Sequence, residues 1–469
     1  MTQHAATGDL AGIYDRSPIG ARYWRTFSLL AVTQMLDFFD FFIIIYLVVA
    51  IGPVWKLTFG QTATILLSPG VGAVIGALVW GFFADKWGRK PLIILGTYIC
   101  AAASASVAVV PDGDWMLLAA LRFGVGFGLA ASATPTGALI VEYTPTRLRT
   151  FAGSFIVVAN SVGILLAGAT FAMLMGLLGW RGVAALGILP AVVGTLVWIF
   201  VPESFRWLLS VGRPADARRS VARALNVRAD TLPMPWALQA AKQQTSLLEL
   251  FADPRRTVLV GVVWLFASTA FYGVYQWGPT IFAQLFKISP PEAAKLFIYV
   301  SVVGVAGKIL FSVLPQLIGR RRSGELMGYG GAIGLALTGY YHGDVFLGVP
   351  AFVLLLMASD LFFEGGLSNI APYSVEVFGV RLGARAVGLQ QASNAVGKII
   401  GPVILALIAG TSNYITPQAT DAAIFPAFVF FAACSLVVGL CFTLIPIETH
   451  GKPLQIDVAR EAVKRGAAA

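Results

Sequence analysis

Long apolar runs separated by short clusters of charge dominate the chain. A helix needs about 20 mostly apolar residues to cross the hydrocarbon core of a bilayer. Twelve runs approach or exceed that length, at about 26–51, 62–84, 91–110, 115–141, 151–177, 182–201, 257–283, 295–318, 324–341, 346–371, 386–410 and 424–446. They are too long for barrel strands and lack the alternation of apolar and polar positions that barrel strands carry. Between the sixth and seventh lies a polar stretch with most of the loop charge, in which RPADARRSVARALN (Arg213 to Asn226) predicts a short helix. The pattern predicts an all-α integral membrane protein with 12 transmembrane helices, here called spans 1 to 12. Its expected parts are an N-terminal tail (1–25), a six-helix bundle (26–201), a linker with short helices (202–256), a second six-helix bundle (257–446) and a C-terminal tail (447–469).

Composition narrows the class. Charged residues are 12% of the chain and apolar ones 57%, against about 25% and 45–50% in soluble domains. A disordered chain is excluded, and a soluble enzyme is not expected. The net charge of +10 could suggest nucleic acid, but the charges sit in loops between apolar runs, as in membrane proteins. The expected partners are the bilayer and a small-molecule substrate, with no nucleic acid, for a protein acting as a monomer. Of 33 Lys and Arg residues, 26 fall on one side of the predicted membrane, four on the other (Lys56, Arg181, Lys287, Lys295) and three within spans. That bias puts both termini in the cytoplasm. Cys100, Cys434 and Cys441 lie inside apolar runs and read as small core residues. The first apolar run is long enough to stay as an anchor, and no cleavable signal peptide is expected. No P-loop, zinc-ligand spacing or hydrolase triad is present, so no cofactor and no metal are expected beyond a proton as coupling ion.

The halves repeat. VEYTPTRLRTFAGSFIVVANSVG from Val141 matches VEVFGVRLGARAVGLQQASNAVG from Val375, which pairs Glu142 with Glu376, Arg147 with Arg381 and Asn160 with Asn394. Gly88-Arg89-Lys90 recurs as Gly319-Arg320-Arg321, and Pro202-Glu203 is echoed by Pro446 and Glu448. Parallel six-helix repeats of this kind put a binding site near the midplane between the halves and support alternating access.

Gly81-x-x-x-Asp85-Lys86-x-Gly88-Arg89-Lys90 resembles the loop 2–3 signature of the major facilitator superfamily. Arg122-x-x-x-Gly126-x-Gly128 is similar to the span 4 arginine motif of that superfamily. Pro202-Glu203-Ser204-x-Arg206-Trp207-Leu208 resembles the PESPRWL element of sugar porters and organic-ion transporters, although the sugar-porter glutamine signatures are not evident. Asp37-Phe38-Phe39-Asp40-Phe41-Phe42 partly resembles elements of the metabolite:proton and aromatic-acid:proton symporter families. The resemblance covers about 26–449 and implies the major facilitator fold, two pseudo-symmetric six-helix bundles in which spans 3, 6, 9 and 12 are outer supports.

Charges inside the predicted membrane are costly, about 2.5–3.5 kcal/mol or more near the centre, and so mark cavities or partners. They fall at Asp37 and Asp40 (span 1), Arg122 (span 4), Lys308 (span 8), Asp360 and Glu364 (span 10) and Lys398 (span 11). Asp37 and Asp40, three residues apart, share a helix face. Burial favours a neutral carboxyl and a nearby cation favours the carboxylate, so these two acids with Arg122 are the candidate proton-coupling set. Tyr272 and Gln276 on span 7, with Lys308, Asp360, Glu364, Gln391, Asn394 and Lys398, are the candidate substrate-binding set. Gln390, Asn394 and Lys398 also form one polar stripe at helical spacing. By the resemblance, Asp85 faces the start of span 11 and, with Arg89, Glu142, Arg147, Glu376 and Arg381, forms a cytoplasmic gate.

The expected function is proton-coupled uptake of a small organic acid, aromatic acids being one candidate class. A sugar, polyol, zwitterion or organic cation remains open, as does a non-transporting membrane sensor. The short loop 1–2 and the lack of an N-glycosylation sequon favour a bacterial inner membrane.

Overall fold

The computed structural model describes residues 10–235, 247–346 and 348–450, with backbone alone for 85, 149–151, 154, 247, 248, 380, 381 and 384. The tail beyond 450 and part of the linker, 236–246, therefore lie outside the described residues. Fifteen α-helices follow one another among the described residues. They are α1 (Leu10–Arg16), α2 (Ala21–Trp55), α3 (Phe59–Trp87), α4 (Arg89–Ser106), α5 (Trp115–Glu142), α6 (Arg149–Ala185), α7 (Leu189–Phe200), α8 (Phe205–Ser210), α9 (Pro214–Leu225), α10 (Pro254–Phe286), α11 (Pro290–Ile318), α12 (Arg320–Tyr340), α13 (Ala351–Phe363), α14 (Leu367–Ala409) and α15 (Pro417–Leu444).

Ten helical stretches among the described residues are long and apolar enough to span a bilayer. One of them, Phe155–Phe200, has 46 residues, twice the length one crossing needs. It breaks at Gly179, whose φ of 63° no regular helix contains. The twelfth is α12, 21 residues long, whose leading arginines and many glycines lower its hydropathy. Twelve spanning helices thus form the major facilitator fold. The structure departs from the apolar pattern in span 10, which turns at 364–366 where Gly365 packs on Gly307 of α11. Two successive glycines weaken a helix there. The helix then resumes as α14, which carries a second break at Gly379 (φ 72°) before span 11.

The chain forms two compact units, one from Met1–Ile51 with Ser68–Gln243 and one from Gly52–Leu67 with Gln244–Ala469. Within the first, α4 packs along α5 and α7; within the second, α10 lies along α14 and α12 along α15. The α2–α3 connection joins the second unit through backbone bonds. Phe59 N–H donates to Asn413 O at 2.9 Å and Gly60 N–H to Thr411 O at 2.9 Å.

Each unit repeats one capping device. At the start of α4 the Glu203 carboxylate accepts from the backbone N–H groups of Arg89 (3.1 Å) and Lys90 (3.2 Å). At the start of α12 the Glu448 carboxylate accepts from Arg320 (3.0 Å) and Arg321 (3.1 Å). The first N–H groups of a helix have no partner within it, and an acid there also complements the helix dipole. The preceding residues, Gly88 (φ 96°) and Gly319 (φ 90°), adopt a conformation that L side chains rarely reach. A Cβ on either would also meet the capping carboxylate, at 2.6 Å from Glu203 Oε2 or 2.5 Å from Glu448 Oε2. This is the physical reason for the Gly-Arg-basic repeat. Gly88→Ala and Gly319→Ala should each cost about 1–3 kcal/mol, read as a lower unfolding midpoint of the purified protein in detergent.

Helix α1 is absent from the apolar pattern because it is too short to show one. It docks on a cluster of Tyr143, Phe205, Trp207 and Val221. Tyr14 Oη donates to Tyr143 O at 2.8 Å, and Tyr143 Oη donates in turn to Glu203 O at 2.6 Å.

Candidate functional site

In the first unit, α2 carries Asp37 and Asp40 into the interior, where they are 2% and 0% exposed. One helical turn separates them, yet they meet different neighbours. Ser132 of α5 donates to Asp37 Oδ2 at 2.7 Å. Ser104 of α4 donates to Asp40 Oδ1 at 3.2 Å, and the Cys100 thiol to Asp40 Oδ2 at 3.5 Å. Arg122 of α5 is fully buried. Its Nη2 donates to the backbone carbonyls of Asp40 and Phe41, the latter at 3.2 Å. Among the described residues no carboxylate pairs with Arg122, and its Nε and Nη1, like Asp37 Oδ1, have no hydrogen-bond partner. The three residues predicted from the sequence therefore come together, but Arg122 binds the α2 backbone instead of an acid side chain. Span 3, expected to be an outer support, supplies two of the donors through α4.

In the second unit, Lys308 Nζ of α11 pairs with Glu364 Oε1 at 2.7 Å, with side chains 6% and 1% exposed. Tyr275 Oη of α10 lies 2.9 Å from Asp360 Oδ2 and also bonds Glu364 Oε2. The sequence placed Tyr272 and Gln276 on one face of span 7; Tyr275, one residue away, is the group that reaches the acids. Lys398 of α14 stands 5.3 Å above the Tyr272 ring, a cation–π distance. Asn394 donates to Ser268 Oγ at 2.7 Å. Gln276 is 2% exposed, and its Oε1 has no partner among the described residues; nor has Gln390 Oε1, whereas Gln391 is exposed. Ser104 and Ser132 carried no sequence signal, because single hydroxyls are common in membrane helices and only packing selects among them.

Three of the gate residues have bonds within their own unit among the described residues. Glu142 accepts from Ser204 Oγ. Its counterpart Glu376 accepts from Arg320 Nη2 at 2.8 Å and from Thr449 Oγ1 at 2.6 Å. Arg89 Nη1 donates to Ala84 O at 3.1 Å, and Arg147 is exposed. Among the described residues neither arginine pairs with Glu142. The side chains of Asp85 and Arg381 lie outside the described residues.

The two capping acids differ in their proton affinity. Burial pushes the Glu203 carboxyl above its ordinary range, despite the pull of the Ser204, Lys90 and Arg89 N–H groups. Burial acts on Glu448 too, but four backbone N–H donors, from His450, Arg321, Arg320 and Thr449, outweigh it and hold that carboxyl below the ordinary range. A raised carboxyl contributes stability at low pH that is lost as pH rises through its titration. A depressed one contributes stability above the unfolded-state value that is lost as pH falls through its own. Glu448→Gln should therefore lower the unfolding midpoint more than Glu203→Gln at about pH 7, and the gap should close towards about pH 4. Thermal unfolding across that range checks it.

Twelve spanning helices with charges held in their interiors define a major facilitator transporter. The chain belongs to the sugar (and other) transporter family, which matches residues 32–459, and is a membrane transporter, not an enzyme. It is 26% identical over 458 residues to the niacin transporter NiaP of Acinetobacter baylyi, covering 95% of this chain and 99% of that one. It is 22% identical to the cis,cis-muconate transport protein of the same species, over 84% and 90% of the two chains. The solved xylose transporter XylE from E. coli superposes with a TM-score of 0.68 at 19% identity, over 93% and 100% of the chains, a likeness of fold.

Proposed function

We propose that the protein is a proton-coupled symporter that takes up a small organic acid by alternating access. The observation that carries the coupling is how Asp37 and Asp40 are held. Both are buried, and both are bonded by neutral hydroxyl or thiol donors, not by the nearby guanidinium. Such acids can gain or lose a proton without breaking an ion pair. The acid substrate is supported by Lys308 and Lys398, two cations inside spanning helices, where an anionic group is favoured beside a buried ammonium. Relatives named for niacin, a pyridine carboxylic acid, and for muconate agree with it. Glu364 pairs with Lys308, and a substrate carboxylate would compete for it, with Gln391 and Asn394 completing its hydrogen bonds. A neutral polyol is the second reading, favoured by the buried, unpartnered Gln276 Oε1 and Thr280 Oγ1. We further infer a monomer in a bacterial inner membrane with both termini cytoplasmic, gated by Asp85, Arg89, Glu142, Arg147, Glu376 and Arg381.

Nicotinate and its uncharged analogue nicotinamide test the substrate class. Lys308→Gln and Lys398→Gln should each weaken nicotinate binding by about tenfold or more, the scale of one charge-assisted bond, while leaving nicotinamide binding little changed. Equal binding of nicotinate by wild type and both variants, measured by calorimetry, would remove the acid reading.

A further inference from the structure

The second unit holds a cluster that the coupling scheme above does not use: Asp360 and Glu364 of one helix, Tyr275 of α10 and Lys308 of α11. All four residues are buried, at 0%, 1%, 0% and 5% exposure. We propose that this cluster binds one proton, shared by Asp360 and Glu364 through Tyr275, and so forms a second proton site in the C-terminal half.

The argument is a count of donors. A phenol has a single proton to give, yet Tyr275 Oη lies within hydrogen-bond reach of both carboxyl groups, 2.9 Å from Asp360 Oδ2 and bonded to Glu364 Oε2. It can satisfy only one of them as donor. The other contact is a hydrogen bond only if that carboxyl brings its own proton. The ion pair says which. Glu364 Oε1 is 2.7 Å from Lys308 Nζ, so Glu364 is the carboxylate and receives the Tyr275 proton. Asp360 is then the acid and donates from Oδ2 to the phenol oxygen. The bonds run in one direction, from Asp360 to Tyr275 to Glu364, and end on Lys308.

Charge and solvation agree with the count. With both acids ionised, the cluster would carry one uncompensated negative charge in an apolar interior; with one proton it is neutral, as burial demands. Asp360 Oδ1 is buried with no hydrogen-bond partner among the described residues. That is tolerable for the carbonyl oxygen of an acid and costly for a carboxylate. The α11 backbone approaches both acids closely, because a Cβ on Gly304 would strike both Glu364 Oε2 and Asp360 Oδ2. α12 meets this helix through Gly330 and Gly334, which face Phe362 and Ser359. Lys398 of α14 lies over the Tyr272 ring. The proton exchanges with bulk water, and a shift along the chain moves it from Asp360 to Glu364 while Tyr275 gives one proton and takes one.

The inference does not depend on the substrate, so its test uses none. Infrared difference spectra of the purified full chain at neutral pH would compare wild type with Asp360→Asn. The expected difference is loss of one carboxylic-acid C=O band, one that shifts on exchange into D2O. Loss of carboxylate bands alone, with no acid band, would mean both groups are ionised and would overturn the proposal. Tyr275→Phe provides an independent reading if Asp360→Asn does not fold. It should retain the band at a changed frequency, because the phenol bond is gone, and a band that stays unmoved would overturn the shared-proton chain.

Discussion

Asp37→Asn and Asp40→Asn should each impair pH-driven accumulation in proteoliposomes, moving uptake towards equilibration, while at least one of them keeps substrate counterflow. Counterflow exchanges loaded carriers and needs no net proton movement, so it separates coupling from binding. Each substitution keeps an amide oxygen that can still accept from Ser132 or from Ser104, which preserves packing while removing the titrating proton. Asp37 is expected to be the more sensitive, because its Oδ1 is buried without a partner, whereas both oxygens of Asp40 have donors. Full accumulation in both variants would take α2 out of the mechanism.

Lys308→Met should destabilise the protein by about 3–5 kcal/mol, the cost of stranding one member of a buried ion pair. Glu364→Met should do the same from the other side. The double variant Lys308→Met/Glu364→Met should recover most of that loss, since two apolar side chains of similar length replace the pair and nothing charged is left alone. Unfolding of the four proteins in detergent closes the cycle. Additive losses would mean the 2.7 Å contact contributes nothing beyond its separate parts. Asp360→Asn should be milder than either single change, because it leaves Lys308 paired.

Much of the site was visible as charge out of place. Asp37, Arg122, Lys308 and Glu364 stand out because a bilayer tolerates few ionisable groups, and a linear reading can find every one. Partners are another matter. Asp37 and Asp40 share a face by spacing, yet one bonds α5 and the other α4, since neighbouring helices approach at different heights. Spacing set Tyr272 with Gln276 on one face of span 7, but the packing of α10 on its neighbours decides that Tyr275 is the phenol that meets the acids.

Hydropathy alone determined twelve crossings, because each span must satisfy its backbone internally and is therefore encoded locally; residue matches such as Glu142 with Glu376 revealed the half-repeat. The Gly-Arg-basic repeat was likewise legible, but not its cause. Only tertiary structure brought Glu203, 115 residues beyond Gly88, and Glu448, 129 beyond Gly319, onto the helix starts they cap. It also decided that Arg122 binds backbone carbonyls and that Lys308 finds Glu364. Burial penalises a charge wherever it occurs along the chain, so sequence shows that a partner is needed. Which partner is met depends on the distances and angles between packed helices, and those exist only once the chain has folded.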